Sequence, residues 1–175
     1  EQNAKYIVDH AVGEELAGLP NVLDVLGQFY AGRGERKKAE QYYRRALLMK
    51  GQILGGPIPD LGQRLLDIHL MTGTNRKAID ASELYATLRP VLDPMSPYNR
   101  LSLASSLNEI AEIYREQGRY IEAEPLYHLS LAIERNSEAS QARSYATTLT
   151  NLGLLYNSQG RHAEAEARLL EALAI

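Results

Sequence analysis

The chain has 175 residues, 45% of them hydrophobic, and its 19 basic and 22 acidic side chains give a formal net charge of -3. The two signs of charge are interspersed, which argues against a nucleic-acid binder and against a protein held on anionic lipid by its charge. The sequence has no cysteine, which excludes disulfides, zinc thiolate sites and cysteine nucleophiles. No window reaches the roughly 18 to 20 apolar residues of a membrane-spanning helix. We therefore expect a folded chain with an apolar core that binds neither nucleic acid nor membrane.

A period of 42 residues runs through the sequence. Alanine recurs at this interval at four positions: Ala39, Ala81, Ala123 and Ala165. Glycine recurs on the same period with one gap: Gly34, Gly118 and Gly160. The apolar positions between Leu107 and Tyr114 follow the i, i+3, i+4, i+7 spacing of one helix face. Each period is therefore predicted to be two helices joined at a glycine turn.

In chain order, the first predicted element is a helix within residues 1–19, either a cap or the remnant of an earlier repeat. Four helical hairpins follow, over residues 20–59, 60–97, 98–139 and 140–175. The second hairpin is divergent, because all four departures from the periodic pattern fall within it: His69, Thr72, Arg76 and Leu88. Two explanations of these clustered departures stay open: sequence drift in a buried repeat, or a distortion of the hairpin that serves its function.

The periodic pattern predicts which aromatic residues are buried, and it leaves one apolar face of the last helix uncovered. Six tyrosines occupy periodic positions and are predicted to be buried: Tyr30, Tyr43, Tyr85, Tyr114, Tyr127 and Tyr156. The final residues leave an apolar face at Leu169, Leu173 and Ile175. Because helical-repeat stacks normally finish in a polar capping element, we expect this face to be covered, either in a longer parent protein or by self-association.

The periodic pattern of large, leucine, small, tyrosine, glycine and alanine residues resembles the tetratricopeptide repeat. The 42-residue spacing, together with ATTLTNLGLLY at 146–156 and GRYIEAEPLYHLSLAI at 118–133, resembles the kinesin-light-chain subtype of that repeat. The resemblance covers roughly residues 21–175. It implies an all-α fold, a right-handed α-solenoid of antiparallel helix hairpins with about four repeats. It also implies a non-catalytic scaffold for protein–protein interaction.

Residues with catalytic or metal-binding chemistry are scattered. The histidines His10, His69, His128 and His162 lack the i, i+4 pairing and carboxylate neighbours of a metal site. The serines Ser102, Ser105 and Ser106 have neither a nearby histidine nor a strand-to-helix elbow, and we interpret them as ordinary helix-surface residues. We therefore expect no metal, no cofactor and no enzyme activity.

The resemblance implies that a protein or peptide partner binds a concave groove lined by the first helix of each hairpin. A stripe offset from the packed face of these helices supplies the candidate groove residues: Asn21, Asp24, Gln28, Gln63, Leu66, Leu70, Ser105, Asn108, Glu112, Arg115, Thr147, Thr150, Asn151, Leu154 and Asn157. Neutral polar groups with a leucine patch favour an extended or helical peptide with a few apolar anchors. Arg115 is the stripe's single cation, which disfavours a clamp for a ligand carboxylate.

Asn108 and Asn151 are the first candidates, because they fall where the kinesin-light-chain subtype has asparagines facing its peptide groove. An amide can also pair with both the donor and the acceptor of a peptide backbone. The competing interpretation is a pair of solvated polar residues on an empty face.

Two other functions stay open at this point. One is a regulatory or sensor module of a larger multidomain protein, and the other is a structural subunit that assembles end to end through its uncapped C-terminal end. A cytoplasmic location is slightly favoured. The sequence starts at Glu1, so an earlier targeting segment is not excluded.

Overall fold

The computed structural model describes residues 18–54, 86, 89–90, 92–93, 96–135 and 142–175. Six helices have bounds within these ranges: α1 Leu19–Gly32, α2 Arg36–Leu54, α3 Pro97–Glu116, α4 Tyr120–Arg135, α5 Ala142–Ser158 and α6 His162–Leu173. Residues 86, 89–90 and 92 are also helical. The six helices form three helix pairs, here named hairpin A (α1 and α2), hairpin B (α3 and α4) and hairpin C (α5 and α6). The predicted all-α hairpin solenoid is confirmed. The expected helix within 1–19 and most of the second predicted hairpin lie outside the described residues.

Each hairpin turns at a glycine with left-handed backbone. The φ angles are +74°, +75° and +74° at Gly34, Gly118 and Gly160. In every turn the amide after the glycine donates to the carbonyl of a tyrosine five residues earlier, at 2.8 to 2.9 Å. This bond satisfies a carbonyl that the end of the first helix would otherwise leave unpaired, and the conformation suits a residue without a Cβ. The periodic glycines therefore end the first helices and orient the second.

Small residues let the two helices of a hairpin approach closely. A Cβ placed on Gly27 would lie 2.7 Å from the ring of Tyr43, and one placed on Gly153 would lie 2.9 Å from Cγ of Leu169. Ala111 takes the same position in hairpin B and is fully buried. Small side chains on one helix therefore face large side chains on the other, which allows the pair to pack closely.

The predicted tyrosine core is confirmed wherever the structure describes it. Five of the six periodic tyrosines are between 0% and 6% exposed: Tyr30, Tyr43, Tyr114, Tyr127 and Tyr156. The sixth, Tyr85, lies outside the described residues. Because aromatic side chains bury large apolar areas, these five tyrosines contribute much of the apolar surface that the hairpins bury.

The hairpins stack in series, with α2 packed on α3 and α4 packed on α5. Helices α2 and α3 touch directly, although residues 55–96, a full 42-residue period, separate them in sequence. Arg36 Nε lies 2.8 Å from Glu116 Oε2, and the Tyr43 hydroxyl donates to Glu109 Oε2 at 3.1 Å. Hairpin A therefore stacks on hairpin B.

The start of α3 is fixed by a capping side chain. Ser96 caps α3, since its Oγ accepts a hydrogen bond from the Asn99 amide at 3.2 Å, and Pro97 follows at the first helical position. Among the described helices, none combines the length and the apolar character that crossing a bilayer requires.

Candidate functional site

The two leading candidates from the sequence are brought together. Asn108 on α3 and Asn151 on α5 are both partly buried, and the amide nitrogen of Asn151 donates to Asn108 Oδ1 at 3.2 Å. This bond joins the first helices of hairpins B and C. The stripe of polar residues is therefore continuous across these two helices at this point.

Around this pair, the other candidate residues of α3 are held by local bonds. Arg115 donates to both carboxylate oxygens of Glu112, at 2.9 and 2.5 Å, and the Tyr127 hydroxyl donates to Glu112 Oε2 at 2.7 Å. Burial raises the pKa of Glu112, but the bonds from Arg115 and Tyr127 outweigh burial and the net pKa is lowered. The cation of the stripe is thus neutralised by a neighbouring carboxylate.

Candidate residues on α5 bond mostly to their own helix. The Thr147 and Thr150 hydroxyls donate to the carbonyls of Arg143 and Ala146, at 2.9 and 2.8 Å. Asn157 Oδ1 lies 3.1 Å from a ring nitrogen of His162. Four other candidates are exposed: Asn21, Gln28, Ser105 and Leu154. Gln63, Leu66 and Leu70 lie outside the described residues.

Asp24 takes part in a buried network between hairpins A and B. Lys50 is only 3% exposed. Its Nζ donates to Asp24 Oδ2 at 2.5 Å, to the Ser102 carbonyl at 3.1 Å and to Ser106 Oγ at 2.6 Å. The Ser106 hydroxyl donates to Asp24 Oδ1 at 3.3 Å. Burial raises the pKa of Asp24, although Lys50 opposes that shift. Asp24 therefore holds two hairpins together.

The expectation that Ser106 lies on the helix surface is wrong. Ser106 is 1% exposed, because stacking of α2 on α3 covers it. Its hydroxyl beside the Lys50 ammonium is an arrangement that some hydrolases use for nucleophilic attack. Here both groups are buried, so a substrate has no access to the hydroxyl, and the network is structural.

Sequence reasoning missed two arginines that form ion pairs between successive hairpins. Arg161 lies over the Tyr156 ring with Cζ 4.0 Å from its centroid, and donates to Glu124 of the preceding hairpin at 2.9 Å. Arg119 lies 4.0 Å over the Tyr114 ring, and its Nη1 is 3.5 Å from Glu40 of hairpin A. Each arginine also bonds a glutamate three residues later. The signal was available, since both arginines directly follow turn glycines 42 residues apart.

A second position also repeats at the two junctions between hairpins. Glu134, the counterpart of Lys50 in hairpin B, is buried and accepts a hydrogen bond from Ser144 of hairpin C. Ser144 and Thr148 occupy the positions that Ser102 and Ser106 occupy at the other junction. Burial raises the pKa of Glu134, with Ser144 and Thr148 opposing the shift. Hairpin A thus meets B in the same register in which B meets C.

Within the parts of the chain that the structure describes, no three histidine, aspartate or glutamate side chains come together to hold a metal ion. Several polar side chains of the stripe form hydrogen bonds or ion pairs with one another, with their own helix or with a neighbouring helix. The stripe therefore presents polar groups together with one exposed apolar side chain, Leu154, among the described candidates.

Helix pairs that turn at glycine and stack in one register every 42 residues define a helical-repeat solenoid. Models of the tetratricopeptide repeat match residues 102–175 and 21–60, together about two thirds of the chain. The chain belongs to the tetratricopeptide-repeat family, and the model that matches 21–60 is typical of kinesin-light-chain-like repeats.

One solved structure similar to the chain is the crystal structure of BtubC (BKLC) from P. vanneervenii. The sequences are 19% identical, the TM-score is 0.43, and the match covers 99% of this chain and 69% of that one. None of the curated proteins compared with the sequence matches it. Tetratricopeptide repeats generally mediate protein–protein interactions and are typically non-catalytic modules.

Proposed function

We propose that this chain is a non-catalytic scaffold that binds a peptide or protein segment across the first helices of hairpins B and C. The observation that supports this proposal is the Asn151 to Asn108 hydrogen bond, which aligns two partly buried amides on adjacent first helices. The two amides together present adjacent hydrogen-bonding groups on the first helices of hairpins B and C. The interaction role of the repeat family supports the same conclusion.

The chemistry of the pair suits a polypeptide backbone. A carboxamide offers two N–H donors and an oxygen acceptor, so the single bond between Asn108 and Asn151 leaves hydrogen-bonding capacity on both. Exposed Ser105 lies one turn before Asn108, and exposed Leu154 lies three residues after Asn151. We infer a ligand segment that presents main-chain groups to the amides and one apolar side chain to Leu154.

Charge supports a polypeptide over a nucleic acid or a membrane surface. The net charge of the chain is -3, and the arginine of the stripe, Arg115, is paired with Glu112. A phosphate backbone is held mainly by lysine and arginine, which this surface does not concentrate. The proposed ligand segment is accordingly neutral or modestly charged.

The proposal is tested by selecting peptides from a display library on the intact protein and measuring the affinity of the selected peptides by calorimetry. The test variant is Asn108→Ala with Asn151→Ala, and we expect it to lose about tenfold or more in affinity, the equivalent of about 1.4 kcal/mol. Circular dichroism establishes that the variant keeps its helix content.

The matched control carries Lys37→Ala and Gln41→Ala, two exposed positions on α2. We expect the control to bind the selected peptides with the affinity of the wild-type protein. Equal binding by the asparagine variant would contradict the proposed site. Equal loss in both variants would also contradict it, because binding would then depend on something other than the first-helix surface.

A further inference from the structure

One carboxyl group is buried in the junction of hairpins B and C. Glu134, on the last turn of α4, is 3% exposed. Its Oε1 accepts a hydrogen bond from the Ser144 hydroxyl of α5, and the Thr148 hydroxyl faces the same carboxyl. Its Oε2 is buried without a hydrogen-bond partner. The carboxyl therefore lies between two hairpins with only part of its hydrogen-bonding capacity used.

Within the described part of the chain, no cation pairs with this carboxyl. Arg135 and Arg143 stand next to Glu134 and Ser144 in the sequence, but both arginines are exposed. Neither of them, nor Arg100 of α3, forms an ion pair with Glu134. Burial therefore acts on the ionised carboxylate with only hydroxyl groups to oppose it, and it raises the pKa of Glu134.

The junction of hairpins A and B shows how a charged group is accommodated at the same position. Lys50, two periods before Glu134, is equally buried. Its ammonium donates to Asp24, to the Ser102 carbonyl and to Ser106 Oγ, so an opposite charge and two further acceptors surround it. Glu134 has no such surroundings, and the neutral form of its carboxyl suits the closed junction better than the ionised form.

The direction of the pH dependence follows from this preference. A carboxyl whose pKa is raised in the closed junction stabilises that junction fully below the ordinary pKa of about 4.3. This contribution is lost as pH rises through the raised pKa of Glu134. Separation of α5 from α4 lets water solvate the carboxylate, so rising pH favours an opened junction.

The same helix carries part of the candidate groove. Asn151 lies on α5, three residues after Thr148, and its amide donates to Asn108 of hairpin B at 3.2 Å. Because a helix moves largely as a rigid rod, a shift of α5 away from α4 also changes the position of Asn151 relative to Asn108. The state of the junction thus controls the spacing of the two amides.

We propose that Glu134 is a proton-dependent switch at the junction of hairpins B and C. The protonated carboxyl keeps α5 packed on α4, and its ionisation releases α5 and weakens ligand binding across Asn108 and Asn151. The effect on ligand binding rests on the function proposed above, whereas the movement of α5 does not.

The movement is measured with spin labels on Ser105→Cys and Thr147→Cys, two exposed positions one period apart in a chain without natural cysteine. They lie on α3 and α5, one turn before the two asparagines. Distances between the labels are recorded by pulsed electron resonance from about pH 4 to about pH 9, a range that spans and exceeds the ordinary carboxyl pKa. We expect the ratio of separated to close labels to rise about tenfold with pH, which follows from a tenfold difference in proton affinity between the two forms.

Two neutral variants isolate the charge of Glu134. Glu134→Gln and Glu134→Met cannot ionise, so we expect their labels to stay close at every pH. The control Glu166→Gln removes an exposed carboxylate of α6 and should behave like the wild-type chain. Asp24 and Glu109, whose pKa burial also raises, are unchanged in all these proteins. Circular dichroism establishes that each variant keeps its helix content.

Labels whose distance does not change with pH in the labelled wild-type chain would overturn the switch. Equal separation in the two neutral variants would overturn it as well, because another group would then be responsible.

Calorimetry of the unlabelled proteins with the selected peptides tests the link to the groove. We expect the affinity of the wild-type chain to fall about tenfold as pH rises, and the affinities of Glu134→Gln and Glu134→Met to change much less. Equal pH dependence in all three proteins would overturn the link. The label distances require no ligand, so a failure to find groove-binding peptides would contradict the proposed function and leave the test of the switch intact.

Discussion

Individual side chains decide how closely the helices of one hairpin approach. Gly27 and Gly153 occupy the same position of the repeat, yet an added methyl group would meet different neighbours. At Gly27 it meets the ring of Tyr43, a fully buried side chain whose hydroxyl is bonded to Glu109. At Gly153 it meets the side chain of Leu169, which is 40% exposed, and the backbone oxygen of Ala165 at 3.3 Å. The same substitution therefore has different costs at the two ends of the stack.

We expect Gly27→Ala to lower the free energy of unfolding by about 1 to 3 kcal/mol, the usual cost of overpacking a core. Gly153→Ala should cost less, because the partly exposed Leu169 can move away more easily than Tyr43 and alanine is a better helix former than glycine by about 1 kcal/mol. Urea unfolding followed by circular dichroism measures both values. Equal destabilisation by the two substitutions would contradict the assignment of Tyr43 as the rigid neighbour.

A second prediction concerns Lys50, whose ammonium binds Asp24 and Ser106 at the junction of hairpins A and B. Lys50→Met should destabilise the chain by about 2 kcal/mol or more, because it leaves a largely buried carboxylate without its charge partner. The double variant with Asp24→Leu should recover most of that loss, since it removes both charges together. A double variant no more stable than Lys50→Met would show that the pair is not the source of the effect.

At the scale of the element, α2 and α4 each place one buried charged side chain against the first helix of the next hairpin. The hydrogen-bond partners of this side chain differ between the two junctions. Lys50 on α2 is a cation with a carboxylate partner. Glu134 on α4 is a buried carboxylate that faces the hydroxyl groups of Ser144 and Thr148. The two junctions share their register but have opposite charges at this position, so their stabilities should respond differently to pH.

Glu134 gives the third prediction. Burial raises the pKa of Glu134 above its unfolded value of about 4.3. The fold therefore favours the protonated form, and this contribution is fully present below the unfolded pKa and is lost as pH rises through the raised folded pKa. Glu134→Gln should gain stability relative to the wild-type protein as pH rises through this window. Urea unfolding at a series of pH values measures the difference, and a difference independent of pH would contradict the raised pKa.

At the scale of the whole molecule, the stack brings residues of hairpin A against hairpin B across a full sequence period. Along α2, Arg36 pairs with Glu116 and Lys50 with Ser106 of α3, and Glu40 pairs with Arg119 of the turn that follows α3. Three contacts spread along both helices describe an extended interface. The two junctions, A with B and B with C, therefore share one register although their buried charges differ.

The fourth prediction tests this stacking with cysteines, which the natural sequence lacks. A chain carrying Arg36→Cys and Glu116→Cys should be joined efficiently by a short thiol cross-linker. A hairpin between α2 and α3 would separate the two thiols by about two helix diameters, roughly 20 Å. The matched control is Tyr120→Cys with Ser158→Cys, the equivalent positions at the junction of hairpins B and C. Efficient cross-linking of the control alone would contradict direct stacking of A on B.

The sequence by itself determined the helices, the glycine turns, the small-residue positions and the buried tyrosines. These features follow from spacing within a single repeat, because helix faces and turn conformations depend on residues close together in the chain. Of the candidate site, the sequence selected Asn108 and Asn151 but not the hydrogen bond between them.

Only the tertiary structure decided which side chains lie between hairpins. Ser106 reads as a surface residue on its own helix and becomes buried because Lys50 and Asp24 reach it from hairpin A, 56 and 82 residues away. The ion pairs of Arg119 with Glu40 and of Arg161 with Glu124 likewise join residues that are 79 and 37 positions apart. Such contacts depend on which hairpin stacks on which, and periodicity gives every junction the same pattern without stating the order of stacking.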